Sequence, residues 1–591
     1  MAITQSRAAS APGADLVKRP WPAATLRETQ RELCAPGALF EMQTLEIRGV
    51  RTRVWKNQPS TLSALARTAR ALHGQSPFIV FENERVTYDG WFRATAALAT
   101  ELQRRGVGKG DRVALAMRNL PEWPVAFFAA ASVGAIVVPL NGWWTGPELS
   151  YGLAQSGTRL LICDAERWER IEPHLAELPS LTDVIVARAP VVPERPASSL
   201  EALIGTPPGY GTLPDRDLPV VAIDPDDAVT IFYTSGTTGR PKGALGTHRN
   251  LLTCVLAVPY IAERERLRRG DPPWSPQRHA FLIVVPMFHV TACVSWQLPA
   301  IYNGNTLVFM RKWDVVAAFK LIETERIAAT GGVPTIAWQL LEHPDRGRYD
   351  LSSLKWLTYG GAPSAPELVK RIHTDLRVVP GSGWGMTETS ATVTQHGGED
   401  YLRRPDSCGP PLPVSDLKIM SEDGLHPLPI GVVGELWASG PQVVQGYWND
   451  PEATAATFVR GWVRTGDLAR LDEEGFCYIV DRAKDIVIRG GENIYSSEVE
   501  NRLYEHAAVT DAALVGLPDH TLGEVPAAVV HLAPGSTASE AELRAWVAQR
   551  LAAFKVPVRI VVSPTTLPRN ANGKILKKQL RALFQSEVTR G

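Results

Sequence analysis

A chain of 591 residues, 45% hydrophobic and 21% charged, with 48 glycines and 46 prolines, has the make-up of a large globular protein. That composition excludes a disordered, collagenous or coiled-coil chain, and at roughly 150 residues per domain the length predicts about four units, or fewer large ones. Lys+Arg and Asp+Glu balance at 62 each, so no net field draws the chain to nucleic acid or an anionic membrane, and any polyanion must be gripped locally.

The first residues, MAITQSRAASAPGADLVKRPW, lack the continuous apolar run of a secretory signal, and the last ones read TRG rather than SKL, so no targeting address is read. The cysteines (Cys34, Cys163, Cys254, Cys293, Cys408, Cys477) are scattered, with no C-x-x-C pair and no zinc-spaced histidine cluster. Reduced thiols in a cytoplasmic protein are the expectation. From about Ser63 to Val186, helical segments alternate with short apolar runs (RVALAMR, GAIVVPL, RLLICDA, DVIVARA), which predicts α/β layering. Within it, Trp123 to Leu140 runs 18 residues without a charge, the lower limit for a membrane span. Its punctuation predicts a buried helix-turn-strand unit instead: Pro124 suits a helix start, Gly134 a stop, and Ala135 to Val138 a short strand ended by Pro139.

Pro190 to Asp227 is Pro-rich and irregular, which predicts a long surface connection. Arg264 to His279 is basic and turn-rich, which predicts a solvated loop. Further short strands are predicted at residues 280–286, 305–310, 356–361 and 434–439. After about Asp481 the pattern of helix, two strands and helix predicts a separate small α+β lobe. No repeat and no low-complexity tract is present.

The most informative segment is Ala228 to Gly243, AVTIFYTSGTTGRPKG. A β-branched and aromatic strand runs into a loop of Gly, Ser and Thr and then a lysine, the build of an anion cradle. Glycines let backbone N–H groups turn inward, hydroxyls add donors, and Lys242 supplies a compact positive charge for a polyphosphate. The Walker pattern is not matched, because two residues separate Gly239 from Lys242 and no hydroxyl follows the lysine. A P-loop motor or kinase is therefore disfavoured.

The motif Thr234-Ser-Gly-Thr-Thr-Gly-Arg-Pro-Lys242-Gly243 resembles the phosphate loop of the adenylate-forming superfamily of acyl-CoA synthetases, luciferases and nonribosomal-peptide adenylation domains. The resemblance extends over roughly residues 75 to 585, because the partner motifs occur in the family's order. They are Pro286-Met-Phe-His289-Val, Gly360-Gly-Ala-Pro363, Gly383-Trp-Gly-Met-Thr387-Glu388-Thr389, Thr465-Gly-Asp467, Asp481-Arg482-Ala-Lys484-Asp485, Arg489-Gly-Gly-Glu-Asn493-Ile and Pro568-Arg-Asn-Ala-Asn-Gly573-Lys574-Ile575. Each motif alone is weak; the ordered set is specific.

The resemblance implies an α/β fold with a large N-terminal domain of layered sheets and helices plus a small mobile α+β C-terminal domain. The expected division is an N-terminal extension at 1–60, an AMP-binding domain at 61–481 and a lid domain at 482–591. It also implies a reaction in two halves: a carboxylate attacks the α-phosphate of ATP to give acyl-AMP and pyrophosphate, and a thiol, usually of coenzyme A, displaces AMP. Both halves set anions against each other, so catalysis should be mostly positioning and charge neutralisation.

By that resemblance Thr234, Ser235, Gly236, Thr237, Thr238 and Lys242 cradle the β- and γ-phosphates. Glu388, with Thr234, holds Mg2+, and Thr387 meets the α-phosphate. Gly361 and Ala362 form one side of the adenine slot, with Gly383 and Trp384 on the other; Trp384 departs from the commoner Tyr. Asp467 accepts the ribose hydroxyls beside Arg482. Lys574 neutralises carboxylate and α-phosphate in the first half-reaction, Lys484 is the hinge, and the Arg489–Asn493 strand with Gly491 lines the pantetheine tunnel after rotation. His289 gates the passage between acyl pocket and tunnel. Seen alone, Asp467 is a turn former, Trp384 a core aromatic, His289 a satisfied core histidine, and Lys574 one of several solvated lysines with Lys577 and Lys578.

The expected function is thus an AMP-forming acyl-CoA ligase using ATP, Mg2+ and coenzyme A, with an acyl-AMP ligase loading a carrier protein and a non-catalytic nucleotide-binding protein as alternatives. The segments expected to flank the acyl group, including Thr389 to Val393, carry no charge, which favours a fatty, alicyclic or aryl acid over an amino acid. The G-W-G-M-T-E motif resembles that of medium-chain fatty acyl-CoA ligases. Homodimers are frequent among similar enzymes, and the first 50 or so residues have no assigned role.

Overall fold

The computed structural model describes residues 21–191, 196–234, 240–273, 277–360, 366–490, 492–533, 535–570 and 574–588. The charge-free stretch is folded inside it. Every residue of the helix Glu122–Ser132 is buried, the chain turns at Gly134 with φ +78°, and the strand Ile136–Pro139 is buried along its whole length. Only a glycine takes that left-handed corner without strain. Among the described residues no helix is long and apolar enough to cross a membrane.

Ile136–Pro139 lies parallel between Arg112–Ala116 and Ala228–Tyr233, and Leu160–Asp164 and Asp183–Ala187 continue the sheet on the far side of Arg112–Ala116. Among the described residues seven strands make this first sheet. At one edge the direction reverses, because Ala228–Tyr233 turns back antiparallel as Gly243–Thr247. The second sheet has eight strands, ordered Ala391–Gly397, Val379–Met386, Trp356–Gly360, Ile327–Gly332, Ala280–Ile283, Thr306–Phe309, Pro77–Phe81 and Glu84–Thr87. Helices Leu62–His73, Tyr88–Arg104 and Glu122–Ser132 join one apolar cluster that draws on both sheets, with Val113, Val137, Ile79, Ile283 and Leu307 among its members. This is the α/β layering that the alternating pattern predicts.

An antiparallel sheet follows, in which Gly434–Ser439 pairs with Trp462–Leu471 and the latter with Cys477–Arg482. The last segment builds its own sheet around the hairpin Val509–Asp519 and Gly523–Leu532, with Arg559–Ser563 added in parallel and the helices Ser496–Tyr504, Glu540–Ala548 and Lys577–Val588. Its apolar clusters contain only residues from Val487 onward. All six cysteines are free thiols.

Two expectations are corrected. The basic segment Arg264 to His279 does not begin as a solvated loop: the helix His248–Arg269 runs through Arg269, and Arg264, Arg266 and Arg268 are buried. Arg268 grips both carboxylate oxygens of Asp400 (2.6 and 2.7 Å), and Arg264 donates to the Gln395 carbonyl at 2.6 Å. A run of arginines reads as solvated when its partners lie over 100 residues away in sequence. The Pro-rich connection is likewise partly built in, since Ala197–Ser199 extends the first sheet and Tyr210 is fully buried.

Residues before the expected domain start are also packed. Phe40 and Trp55 bury against Leu256, Ala257 and Tyr260 of the long helix, and Arg48 donates to the carbonyls of Val443 and Val444, 3.1 Å each.

Candidate functional site

The segment expected to cradle phosphate joins the two strands of the edge hairpin, Ala228–Tyr233 and Gly243–Thr247. Tyr233 faces Gly243 in register, the Thr234 N–H donates to the Lys242 carbonyl at 2.8 Å, and the Lys242 N–H reaches the Thr234 hydroxyl at 3.4 Å, so Thr234 and Lys242 form the neck of the turn. Ser235, Gly236, Thr237 and Thr238 lie outside the described residues. Gly243 is required at the neck, because a Cβ there would stand 2.5 Å from Ile231 Cγ2.

Tyr447, which the motif reading passed over, connects Lys242 to Glu388. Its hydroxyl donates to Glu388 Oε1 at 2.6 Å, and Lys242 Nζ lies 5.2 Å from the centre of its ring, within cation–π range. The segment carrying Tyr447 is docked on the hairpin by Leu245 N–H to the Gly446 carbonyl (2.9 Å) and Trp448 N–H to the Gly243 carbonyl (2.7 Å). Its signal in the sequence is only a Gly-Tyr-Trp between a strand and a helix. Glu388 sits in the short 3-10 turn Thr387–Thr389 and is 7% exposed. Burial pushes its carboxyl above the usual carboxylate range, while the Tyr447 hydrogen bond pulls it down.

On the nucleotide side, Gly360 and Gly383 pair in register on parallel strands. A Cβ on Gly360 would lie 2.9 Å from the Gly383 carbonyl oxygen, so the two bare backbones form a narrow shelf. Gly361 and Ala362 lie outside the described residues. Next along the strand, where the register shifts between Trp384 and Gly385, the Trp384 indole N–H donates to Asp467 Oδ2 at 2.8 Å. Arg482 Nε lies 3.1 Å from the other oxygen of Asp467. Asp467 and Arg482 are direct cross-strand partners, so the Asp of Thr-Gly-Asp is on a strand and not in a turn.

The C-terminal lobe reaches the same place. Lys574, Asn570, Lys484 and Arg482 line one continuous cavity of about 2770 Å³ with Trp384, Thr387 and Glu388. The Asn570 N–H donates to the Lys574 carbonyl at 2.9 Å, and the Lys574 N–H donates back to the Asn570 side chain, Oδ1, at 3.0 Å. Burial, with Arg482 and Lys484 nearby, pulls the Lys574 amine down to about 8. Burial and Arg482 also lower Lys484. Gly491 lies outside the described residues.

The cavity also has an apolar arm. His289 lines it, and its Nδ1 accepts the Thr291 N–H at 3.2 Å, which leaves the ring proton on Nε2. Burial lowers His289 to about 4, so it is neutral at pH 7. Beyond it, a π-helical turn, Thr291–Gln297, puts Thr291, Ser295 and Trp296 on the cavity wall. Ser295 and Thr392 hydroxyls meet at 3.0 Å among Val285, Ile336 and Ala391. No sequence pattern announced the π turn or this hydroxyl pair.

Residues 65–448 match the family described as AMP-binding enzyme, and residues 498–574 match the AMP-binding enzyme C-terminal domain. A feruloyl-CoA synthase of Amycolatopsis is 38% identical over 502 residues, covering 84% of this chain and 94% of that protein. A long-chain-fatty-acid–CoA ligase of Mycobacterium tuberculosis is 33% identical over 513 residues, covering 85% and 94%. Among solved structures, a Mycobacterium tuberculosis fatty acyl CoA synthetase matches with a TM-score of 0.68 at 30% identity, over 89% of this chain and 99% of that one. The o-succinylbenzoate CoA synthetase of Bacillus subtilis, with its acyl-adenylate bound, matches with a TM-score of 0.71 at 28% identity, over 88% and 97%. The chain belongs to the AMP-binding enzyme family. It is an AMP-forming acid–thiol ligase, of the kind that uses ATP and CoA.

Proposed function

We propose that this ligase joins an uncharged carboxylic acid to coenzyme A through an acyl-adenylate, both steps taking place in the one cavity. The observation that carries the reading is that Lys574 of the C-terminal lobe and the Lys242–Tyr447–Glu388 chain of the N-terminal body border the same space.

In the first step a carboxylate oxygen attacks the α-phosphorus and pyrophosphate leaves. Lys242 and the neighbouring loop donors hold the β- and γ-phosphates, Thr387 holds an α-phosphate oxygen, and Lys574 lies over carboxylate and α-phosphate as negative charge concentrates there. Trp384 and the Gly360–Gly383 shelf hold adenine, and Asp467 with Arg482 holds the ribose. Glu388, one buried hard-oxygen donor, suits a magnesium ion that arrives with a triphosphate, since Mg2+ is usually bound by one or two carboxylates plus substrate phosphates. The ion would supply charge neutralisation at the leaving pyrophosphate. Glu388 is the residue that would hold it, with Thr234 beside the loop.

In the second step the CoA thiol attacks the acyl carbon and AMP leaves. Lys574 and an incoming pantetheine compete for one side of the site, so the lobe after Lys484 must swing about that residue, bringing toward the thiol the hairpin of Val487–Arg489 and Glu492–Ile494, which stands where a single strand over Arg489–Asn493 is expected. His289, neutral and at the junction with the apolar arm, gates that passage. The cavity mouth suits CoA as acceptor: Trp143 is 44% exposed, meets Phe288 edge-on at 6.2 Å, and carries the Arg118 guanidinium 5.2 Å from its ring. An aromatic face beside a cation can hold a nucleotide.

For the acid, an aryl propenoate is the first candidate among uncharged acids. The Ser295–Thr392 pair offers a hydroxyl-rich spot on the cavity wall, and a relative 38% identical to this chain is a feruloyl-CoA synthase. Six unpaired thiols suit a reducing, cytoplasmic setting. The test is ATP–pyrophosphate exchange with magnesium and no CoA across fatty, alicyclic, aryl and amino acids, followed by CoA addition. Exchange with uncharged acids and CoA-thioester formation is the expected result; exchange confined to amino acids, or no thioester, defeats the reading.

A further inference from the structure

We propose that Trp296 sets how long an acyl group this enzyme activates. The proposal rests on the reading that the acid occupies the apolar arm, and it concerns what limits that arm.

Strand register gives the arm a depth scale. Gly360 and Gly383 pair at the level of the adenylation groups. Two residues down the strands, Gly331, Thr358 and Gly381 stand in register, and two further down Phe281, Ala329, Trp356 and Val379 form a row. Two residues of strand span about 6.7 Å, so these rows lie about 7 and 13 Å below the Gly360 level.

The Trp296 indole enters over the middle row. A Cβ built on Gly331 would lie 3.2 Å from Trp296 Cζ2, and the ring meets Phe281 edge-on at 5.7 Å between centroids. Glycine is required at 331 in any case, because the same Cβ would stand 1.6 Å from the Thr358 carbonyl oxygen. The volume over Gly331 is therefore taken by indole. The π turn gives the ring this aim: Thr291, Ser295 and Trp296 all line the cavity, and while residues four apart share a face in any α-helix, it is i→i+5 bonding that brings Trp296, five residues on, to the face of Thr291.

The same cavity is also lined at the lower row by His279, whose ring meets Trp356 edge-on at 5.3 Å, and by Ala262, Asn305, Lys355 and Glu265. Trp296 thus divides the arm. The upper compartment, about 7 Å deep, takes one ring on a short linker, or a chain of roughly six carbons at about 1.3 Å per methylene given C–C bonds of about 1.5 Å. A longer acid reaches the lower compartment only past the indole.

The test is kcat/KM in pyrophosphate exchange for linear acids from hexanoate to hexadecanoate and for cinnamate, on the full chain and on W296A and W296F. The expected result is that the ratio of hexadecanoate to hexanoate rises about tenfold or more in W296A, the size of effect a few methylenes of pocket space produce, and rises less in W296F. An unchanged ratio in folded W296A overturns the proposal. Should W296A show no cooperative melt, W296F decides alone: a rise supports the proposal and an unchanged ratio overturns it. Wild-type exchange with unchanged variant profiles removes only the role of Trp296; absence of wild-type exchange with every acid removes the ligase reading itself and this proposal with it.

Discussion

The indole nitrogen of Trp384 donates a 2.8 Å hydrogen bond to Asp467 Oδ2, so the ring assigned to adenine and the carboxylate assigned to ribose form one unit. A tyrosine in this place, the commoner residue of the motif, has no donor at the indole position. The bond fixes the carboxylate before nucleotide arrives, with Arg482 holding its other oxygen at 3.1 Å.

Replacing Trp384 by Phe keeps an aromatic face and removes the donor. A hydrogen bond to a charged group contributes about 1.5–3 kcal/mol, and Arg482 still restrains Asp467, so the low end applies. KM for ATP should rise roughly tenfold in W384F with a smaller change in kcat. Steady-state exchange kinetics at varied ATP check this, and an unchanged KM would show that the bond does not position the carboxylate.

Tyr447 supplies the donor to buried Glu388. In Y447F the carboxyl loses the contact that offsets its burial, so its affinity for protons rises and its affinity for a cation falls. We expect kcat/KM for magnesium-ATP to drop about 10- to 100-fold, from the same range of about 1.5–3 kcal/mol, with partial recovery at higher magnesium. Titrating exchange against magnesium at fixed ATP reads this out; a Y447F curve that overlies wild type would refute it.

In the proposed mechanism the Lys574 amine, lowered to about 8 by burial and by Arg482 and Lys484, works as a cation. It is charged below that value and neutral above it, so kcat/KM for exchange, which reports the free enzyme, should fall as pH rises through about 8. K574R, charged throughout, should lose that alkaline limb at a lower rate. His289, lowered to about 4 by burial, should contribute no limb between pH 5 and 8. An alkaline limb that persists in K574R assigns it to another group.

Arg268 and Asp400, each 1% exposed, form a two-pronged buried pair. Removing Arg268 leaves the buried Asp400 carboxylate with only the Arg404 guanidinium at 3.8 Å, and breaking such a pair costs up to about 3–5 kcal/mol. R268A should melt several degrees lower, whereas a surface arginine such as Arg104 should be neutral on replacement. Equal melting of R268A and wild type would return the Arg264–Arg269 run to the solvated reading.

The ordered motifs made the family and most candidate residues legible, because phosphate, ribose and carboxylate each demand a fixed residue type at a fixed chain position. Tyr447 stayed hidden because its role comes from a contact with Glu388, 59 residues earlier, and a lone Tyr between Gly and Trp carries no period or motif of its own. Arg268 reads as solvated in the sequence for the same reason, its partner Asp400 lying 132 residues on. The helix-turn-strand at Trp123–Leu140 was readable because its signals, Pro124, Gly134 and Pro139, are local.

Sequence alone determined the α/β class, the family and the chemistry of two opposed anions, since these follow from residue type, local propensity and motif order. Tertiary structure alone decided that Lys574 shares a cavity with Glu388, that Asp467 is shared between Trp384 and Arg482, and that an indole from a π turn stands over Gly331 in the apolar arm. These are distances between groups far apart in the chain, set by strand register and by the single extra residue of a π turn, and neither leaves a trace in composition or periodicity.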